Sequence, residues 1–225
     1  MAKFKQTQIR PGVTKHRSNA TKVYVGTGGC AANDILVATG MQGDFLSVVA
    51  ADNTDITKCR GPFFVADYAA AAGEYTAVAL PMKTITGVDT DAATGVGDAV
   101  YLSTGGDVIV GALPAAVTAT TEQAFGTLDI RVGRVTKKHA TEGAYVLEPG
   151  VANGAPLVGR VTRGGTGATM VLTGFTAELE DAPVVCTNSK GSSQYVLGAN
   201  IASNGKLTIT ASANTTDTFT YAIFA

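Results

Sequence analysis

His16 and His139 are the only imidazoles in this 225-residue chain, which leaves little scope for acid–base chemistry. A nucleophile needs a base held beside it. His16 falls in a basic N-terminal stretch and His139 follows Lys137-Lys138, both positions that should face solvent. No Gly-x-Ser-x-Gly elbow occurs. Ser203-Asn204-Gly205-Lys206 satisfies Ser-x-x-Lys, but that pairing requires a helical turn, and Asn204-Gly205 predicts a hairpin with a type I′ turn. Gly26-Thr27-Gly28-Gly29 and Gly164-Gly165-Thr166-Gly167 lack both the Gly-Lys-Ser/Thr ending and a following helix, so they read as turn glycines rather than phosphate loops.

The remaining polar clusters are equally unpromising. Asp89, Asp91 and Asp98 miss the EF-hand spacing and its terminal Glu, and read as a solvated turn. Cys30, Cys59 and Cys186 are too widely spaced for a metal or redox pair and odd in number, which predicts free, buried thiols. Glu178 and Glu180 fall on one face of a predicted strand, with nothing to mark them as a glycosidase pair. The expectation is therefore no catalytic residue, no metal and no cofactor. The alternative is a carbohydrate hydrolase whose carboxylates converge from distant strands. It would be marked by a concave pocket holding a carboxylate whose pKa is raised by burial.

The elements that would carry any site are short strands. β-Branched and aromatic runs bounded by Gly and Asp turns predict strands at Lys22–Val25, Asp34–Ala38, Phe45–Ala50, Phe63–Ala66, Tyr75–Leu80, Met82–Val88, Ala99–Leu102, Phe125–Thr136 and Ala144–Leu147. Tyr68–Ala72 is Ala-rich and predicts a helical turn or two ended by Gly73, while Ala112–Thr121 reads as a long loop or a second short helix. Asn19-Ala20-Thr21 and Asn214-Thr215-Thr216 match the glycosylation triplet and read as turns, because no secretion signal accompanies them. Two Pro, two Gly and an Asn between Glu148 and Pro156 predict a linker at 150–155. Beyond it, strands at Leu157–Val161, Thr169–Leu172, Pro183–Thr187, Gln194–Leu197, Lys206–Thr210 and Thr218–Phe224 have the spacing of a sandwich. A module of about 70 residues is marginal alone and should lean on a neighbour.

Composition points to surface rather than pocket. Hydrophobic residues at 45% predict a packed core, while charged residues make up only 16%. Much of the surface must then be Thr, Ser, Ala and Gly, with little charge to oppose another chain; a Gly- and Ala-rich monomer is the alternative. The charges are also segregated. Lys3, Lys5, Arg10, Lys15, Arg17 and Lys22 lie in the first 22 residues, where no acid occurs, so all 18 acidic residues belong to the rest of the chain. Residues 1–22 thus read as an extended basic arm, interrupted by Pro11 and Gly12 and without helical periodicity. It would dock on an acidic protein surface, contact phosphates, or remain a solvated tail. Nucleic acid is the weakest of these readings, since Phe4 is the only aromatic in the arm and the whole chain is −1. No apolar run of about 18 residues suggests a membrane-spanning helix.

The succession Gly73-Glu74-Tyr75-Thr76-Ala77-Val78-Ala79-Leu80, Gly97-Asp98-Ala99-Val100-Tyr101, Arg131-Val132-Gly133-Arg134-Val135 and Gly143-Ala144-Tyr145-Val146-Leu147-Glu148 resembles the head decoration, or capsid cement, proteins of tailed bacteriophages. The likeness spans roughly residues 45 to 149. It implies an all-β (minor α) chain with a compact β-barrel or β-tulip-like decoration domain over 23–149, made in the host cytoplasm and carried on the outer capsid surface of the virion. It further implies a non-enzymatic protein partnered by the major capsid protein and by itself as a homotrimer, without nucleic acid or membrane. Lys3, Lys5, Arg10, Lys15 and Arg17 would supply the contacts across subunits. Residues 156–225, a small β-sandwich, have no counterpart in the shortest members and would be an outward module, a host-surface ligand being one partner for it. A tail tube, fibre-associated or host-surface-binding β-protein is the other virion reading.

Overall fold

Alternation along the first strand decides its place. In β1 (Thr21–Val25), Val23 and Val25 are buried, Lys22 is exposed and Tyr24 is half-buried. The computed structural model describes residues 21–79, 83–119, 122–148, 156–164, 168–188, 196–211 and 217–224. Its regular structure is all-β. Apart from strands, the described residues hold only two three-residue 3₁₀ turns, at Thr104–Gly106 and Ala177–Leu179.

β1, β2 (Ile35–Gln42), β3 (Phe45–Ala50), β4 (Phe63–Ala66) and β5 (Tyr75–Ala79) form a closed barrel in the order β1-β3-β2-β4-β5. β1 and β3 pair in parallel, and the other neighbours are antiparallel. Val23, Val25, Leu36, Val48, Ala66 and Val78 fill the interior. The opposite faces of β2, β3 and β4 carry Ile35, Val37, Val49, Phe63 and Val65 into a second, larger core. Both faces of β2 are covered there, which explains its uninterrupted apolar run Ile35-Leu36-Val37.

The larger core lies under an antiparallel sheet of β6 (Thr84–Val88), β7 (Ala99–Leu102), β8 (Val108–Val110), β11 (Arg131–Lys137) and β12 (Gly143–Leu147), in the order β6-β12-β11-β7-β8; β9 (Val117–Ala119) and β10 (Glu122–Ala124) intervene in sequence. The core continues between two further sheets. One has the order β15-β18-β13-β9 and the other β10-β14-β17-β16, built with β13 (Leu157–Arg163), β14 (Thr169–Thr173), β15 (Val184–Asn188), β16 (Val196–Ile201), β17 (Leu207–Ala211) and β18 (Thr218–Ile223). Strict in–out alternation in β13, β17 and β18 places Leu157, Val161, Leu207, Ile209, Phe219, Tyr221 and Ile223 inside this sandwich.

The strand ladders cut across the division expected at 150–155, a segment that itself lies outside the described residues. β9 pairs in parallel with β13 and β10 with β14, so residues 117–124 complete the sandwich before the chain returns to the middle sheet at β11. The joint is polar as well as apolar. Buried Asn53 accepts from the Leu128 N–H at 2.9 Å, and its own N–H reaches the Ser103 carbonyl. Leu128 bridges to Gly159, and the Arg160 guanidinium holds Asp129 at 2.8 Å.

Several local expectations need correction. Tyr68–Ala72 is not helical, because Ala70 and Cys30 exchange backbone hydrogen bonds at 2.8 and 3.0 Å; this cross-chain bridge replaces the local bonds a helix requires. Ala112–Thr121 contains β9 rather than a helix, and the run from Phe125 becomes regular strand only at Arg131. Glu178 lies in a 3₁₀ turn and Glu180 caps it, so the two do not share a strand face. The hairpin at Asn204-Gly205 is present, with Ile201 opposite Leu207. Its turn is not type I′. Gly205 alone is left-handed (φ +71°), its N–H bonds Ala202 at 2.9 Å, and Ala202 bonds Lys206 at 3.0 Å, the three-residue loop with a glycine bulge.

Candidate interaction surface

Lys3, Lys5, Arg10, Lys15 and Arg17 lie outside the described residues, as does His16. The arm therefore meets the described structure at β1, and the surface around that junction is distinctive. Lys22 and Tyr24 point outward from the barrel because their neighbours Val23 and Val25 point in. Tyr24 stands opposite Tyr75 in the β1–β5 ladder, and their rings meet edge to face at 5.6 Å. Phe45 closes on Tyr75 at 4.9 Å, again edge to face. The Lys22 ammonium lies 4.4 Å from the Tyr75 ring centroid and 5.3 Å from that of Phe45. Each such cation–ring contact is worth about 0.5–1 kcal/mol at an exposed site. Tyr75 remains 44% exposed. The result is an aromatic face with one positive charge, set beside the point where the basic arm joins.

Nothing local in the sequence marks Lys22, Tyr24, Phe45 and Tyr75 as one surface. Alternation in Lys22-Val23-Tyr24-Val25 already predicts which residues face outward, but the convergence of residues 22, 45 and 75 depends on barrel closure.

Groups considered for chemistry are held in local structural roles. His139 is exposed, and its Nδ1 accepts the N–H groups of Thr141 and Glu142. Lys206 Nζ pairs with Glu122 at 2.8 Å. Asp89 accepts the Asp91 N–H, whereas Asp98 accepts from the hydroxyl and N–H of Thr94, hydrogen bonds that hold its carboxyl below the usual carboxylate range. Among the described residues, no group of three or more His, Cys, Asp or Glu is placed to hold a metal ion. Burial raises the pKa of Asp129, and the Arg160 ion pair opposes that shift; burial also raises Asp34, whose carboxylate accepts the Ala31 N–H.

The three thiols are free; Cys59 is buried, and Cys30 and Cys186 are half-buried. Burial pushes Cys59 up to about 12, Cys186 up to about 11, and Cys30 upward. The thiolate is the reactive form, so native protein at pH 8 should react negligibly at Cys59 and Cys186 with a disulfide reagent, while all three thiols should react in denaturant. Because folding raises these pKa values, the folded state keeps protons that the unfolded state releases; stability should therefore fall as pH rises above about 9. Rapid native reaction of Cys59 would contradict the packing.

No protein-family model matches this chain, and no curated protein matches it. Among solved structures, head fiber gp8.5 N base of bacteriophage phi29 aligns over 57% of this chain and 92% of its own, with 12% identity and a TM-score of 0.37. That likeness is too slight to bear on function.

Proposed function

We propose that this chain is a structural protein of a phage virion. It binds the outer surface of the mature capsid as a homotrimer and acts without catalysis. Charge segregation is the observation that supports this most: six bases and no acid in residues 1–22, ahead of a body that carries every acidic residue. Lys3, Lys5, Arg10, Lys15 and Arg17 then reach across subunit boundaries to acidic surface on the major capsid protein or a neighbouring copy. The charge-poor β surface and the aromatic face beside the arm junction suit contact with protein rather than with a small substrate. The C-terminal sandwich projects from the shell and is open to a host-surface ligand.

The mechanism is one of linkage. A protein that binds only the mature lattice stabilises it by RT ln(1 + [L]/Kd) at each site, repeated over many equivalent sites. Co-sedimentation with expanded heads stripped of accessory proteins tests the reading. Saturable binding to those heads, with none to unexpanded shells, is the expected result; failure to co-sediment at saturating protein would overturn it.

A further inference from the structure

We propose that Asp34 and Asp107 hold a calcium ion where the barrel meets the middle sheet, with the Tyr145 phenol on its inner side. The inference stands apart from the capsid reading. Asp34 directly precedes β2, and Asp107 lies between the Thr104–Gly106 turn and β8. Backbone bonds fasten the two segments together: the Gly106 N–H donates to the Ala51 carbonyl at 2.7 Å, and the Ala51 N–H donates to that of Ile35 at 2.8 Å. The approach is so close that it takes a glycine. A Cβ on Gly106 would lie 2.8 Å from the Ile35 carbonyl oxygen and 3.0 Å from Asp34 Cβ. Asp107, the next residue, is thereby brought beside Asp34. Burial is the main cause of the raised pKa of the Asp34 carboxyl, and the Asp107 charge adds to it.

Each carboxylate has one oxygen committed and one to spare. Asp34 Oδ2 accepts the Ala31 N–H at 2.6 Å, and Asp107 Oδ1 accepts the Val108 N–H at 2.8 Å. Neither acid has an ion-pair partner among the described residues, so two negative charges meet at this joint without a compensating base among them. Tyr145 is the independent sign of a ligand. It is 3% exposed, shares the larger core with Ile35, and its hydroxyl has no hydrogen-bond partner among the described residues. Burial raises the pKa of this phenol, and the charges that raise it further are those of Asp107 and Asp34, which puts the hydroxyl end of the ring at the same joint. A buried hydroxyl without a partner is costly, and a cation would use its oxygen. The spare donors are all oxygen, which selects a hard cation. Cys30, the thiol that feels Asp34, is turned instead to the Tyr68 carbonyl at 3.8 Å. With only two carboxylates the affinity falls at the weak end of calcium sites, a Kd of about 0.1–1 mM.

Terbium, a luminescent stand-in for calcium, tests this on the full chain, which has no Trp to compete with Tyr as sensitiser. Excitation of tyrosine should give saturable terbium emission that calcium displaces at about 0.1–1 mM. Tyr145→Phe should remove most of that emission. Asp34→Asn and Asp107→Asn, which keep an oxygen for the backbone N–H, should each weaken binding at least about tenfold, with far-UV circular dichroism to confirm folding. Calcium at about 10 mM should raise the melting temperature of the wild type by roughly 3 °C over sodium chloride of equal ionic strength, and that of neither Asn variant. Absence of saturable emission, emission that calcium leaves in place or that survives in Tyr145→Phe, or an unmoved wild-type melting temperature would overturn the site. Folded Asn variants that bind like the wild type would do the same. If the Asn variants do not fold, the wild type and Tyr145→Phe still decide.

Discussion

Deleting residues 1–17 is expected to weaken association with expanded capsids by roughly 10- to 100-fold at low salt, from five exposed ion pairs at about 0.3–0.6 kcal/mol each. The difference between full-length and deleted protein should shrink as salt rises, because exposed charges are screened beyond about 8 Å at physiological ionic strength. Folding should be spared. The first described core residue is Val23, and both Val23 and Val25 remain in β1 after the deletion. A melting temperature within about 2 °C of the full chain is therefore expected, the size of shift that a fraction of a kcal/mol produces. Undiminished capsid binding by the deleted protein would remove the arm from the account, and a collapsed melting transition would reassign it to the fold.

Ending the chain after Glu148 should have the largest effect on stability. A cut at a true domain boundary leaves the remaining part intact, but here β9 and β10 would lose both of their parallel partners, β13 and β14. Phe125 and Leu128, buried against the sandwich core, would meet water at about 1.5–3 kcal/mol each. Asp129 would lose the Arg160 guanidinium that compensates its burial. These losses together approach the roughly 5–15 kcal/mol that holds a typical domain folded. The truncated protein is expected to aggregate or to melt without a cooperative transition. A soluble 1–148 fragment with the melting temperature of the full chain would contradict the interleaved topology.

Strand positions were legible wherever alternation was strict, as in Lys206–Thr210 and Thr218–Phe224, because a one-residue slip there would turn every apolar side chain outward. Pairing across long separations was not legible. Val117–Ala119 is only three residues long and Glu122–Ala124 carries no apolar alternation, so nothing local reveals that both complete a sandwich whose other strands begin only at Leu157. The Ala-rich Tyr68–Ala72 departs from its helical propensity for a related reason. Helix propensity there is a fraction of a kcal/mol per residue, and the bridge to Cys30 outweighs it. For the interaction surface, the arm's charge was plain in composition, whereas the aromatic face exists only after residues 22, 45 and 75 are brought together by barrel closure.

Electron cryomicroscopy of undecorated expanded particles mixed with excess protein will show whether this chain occupies a capsid surface. Added density at the threefold positions, in three equivalent copies each joined to the shell through its N-terminal residues, is the predicted result. Particles that stay bare beside folded, soluble protein would contradict it.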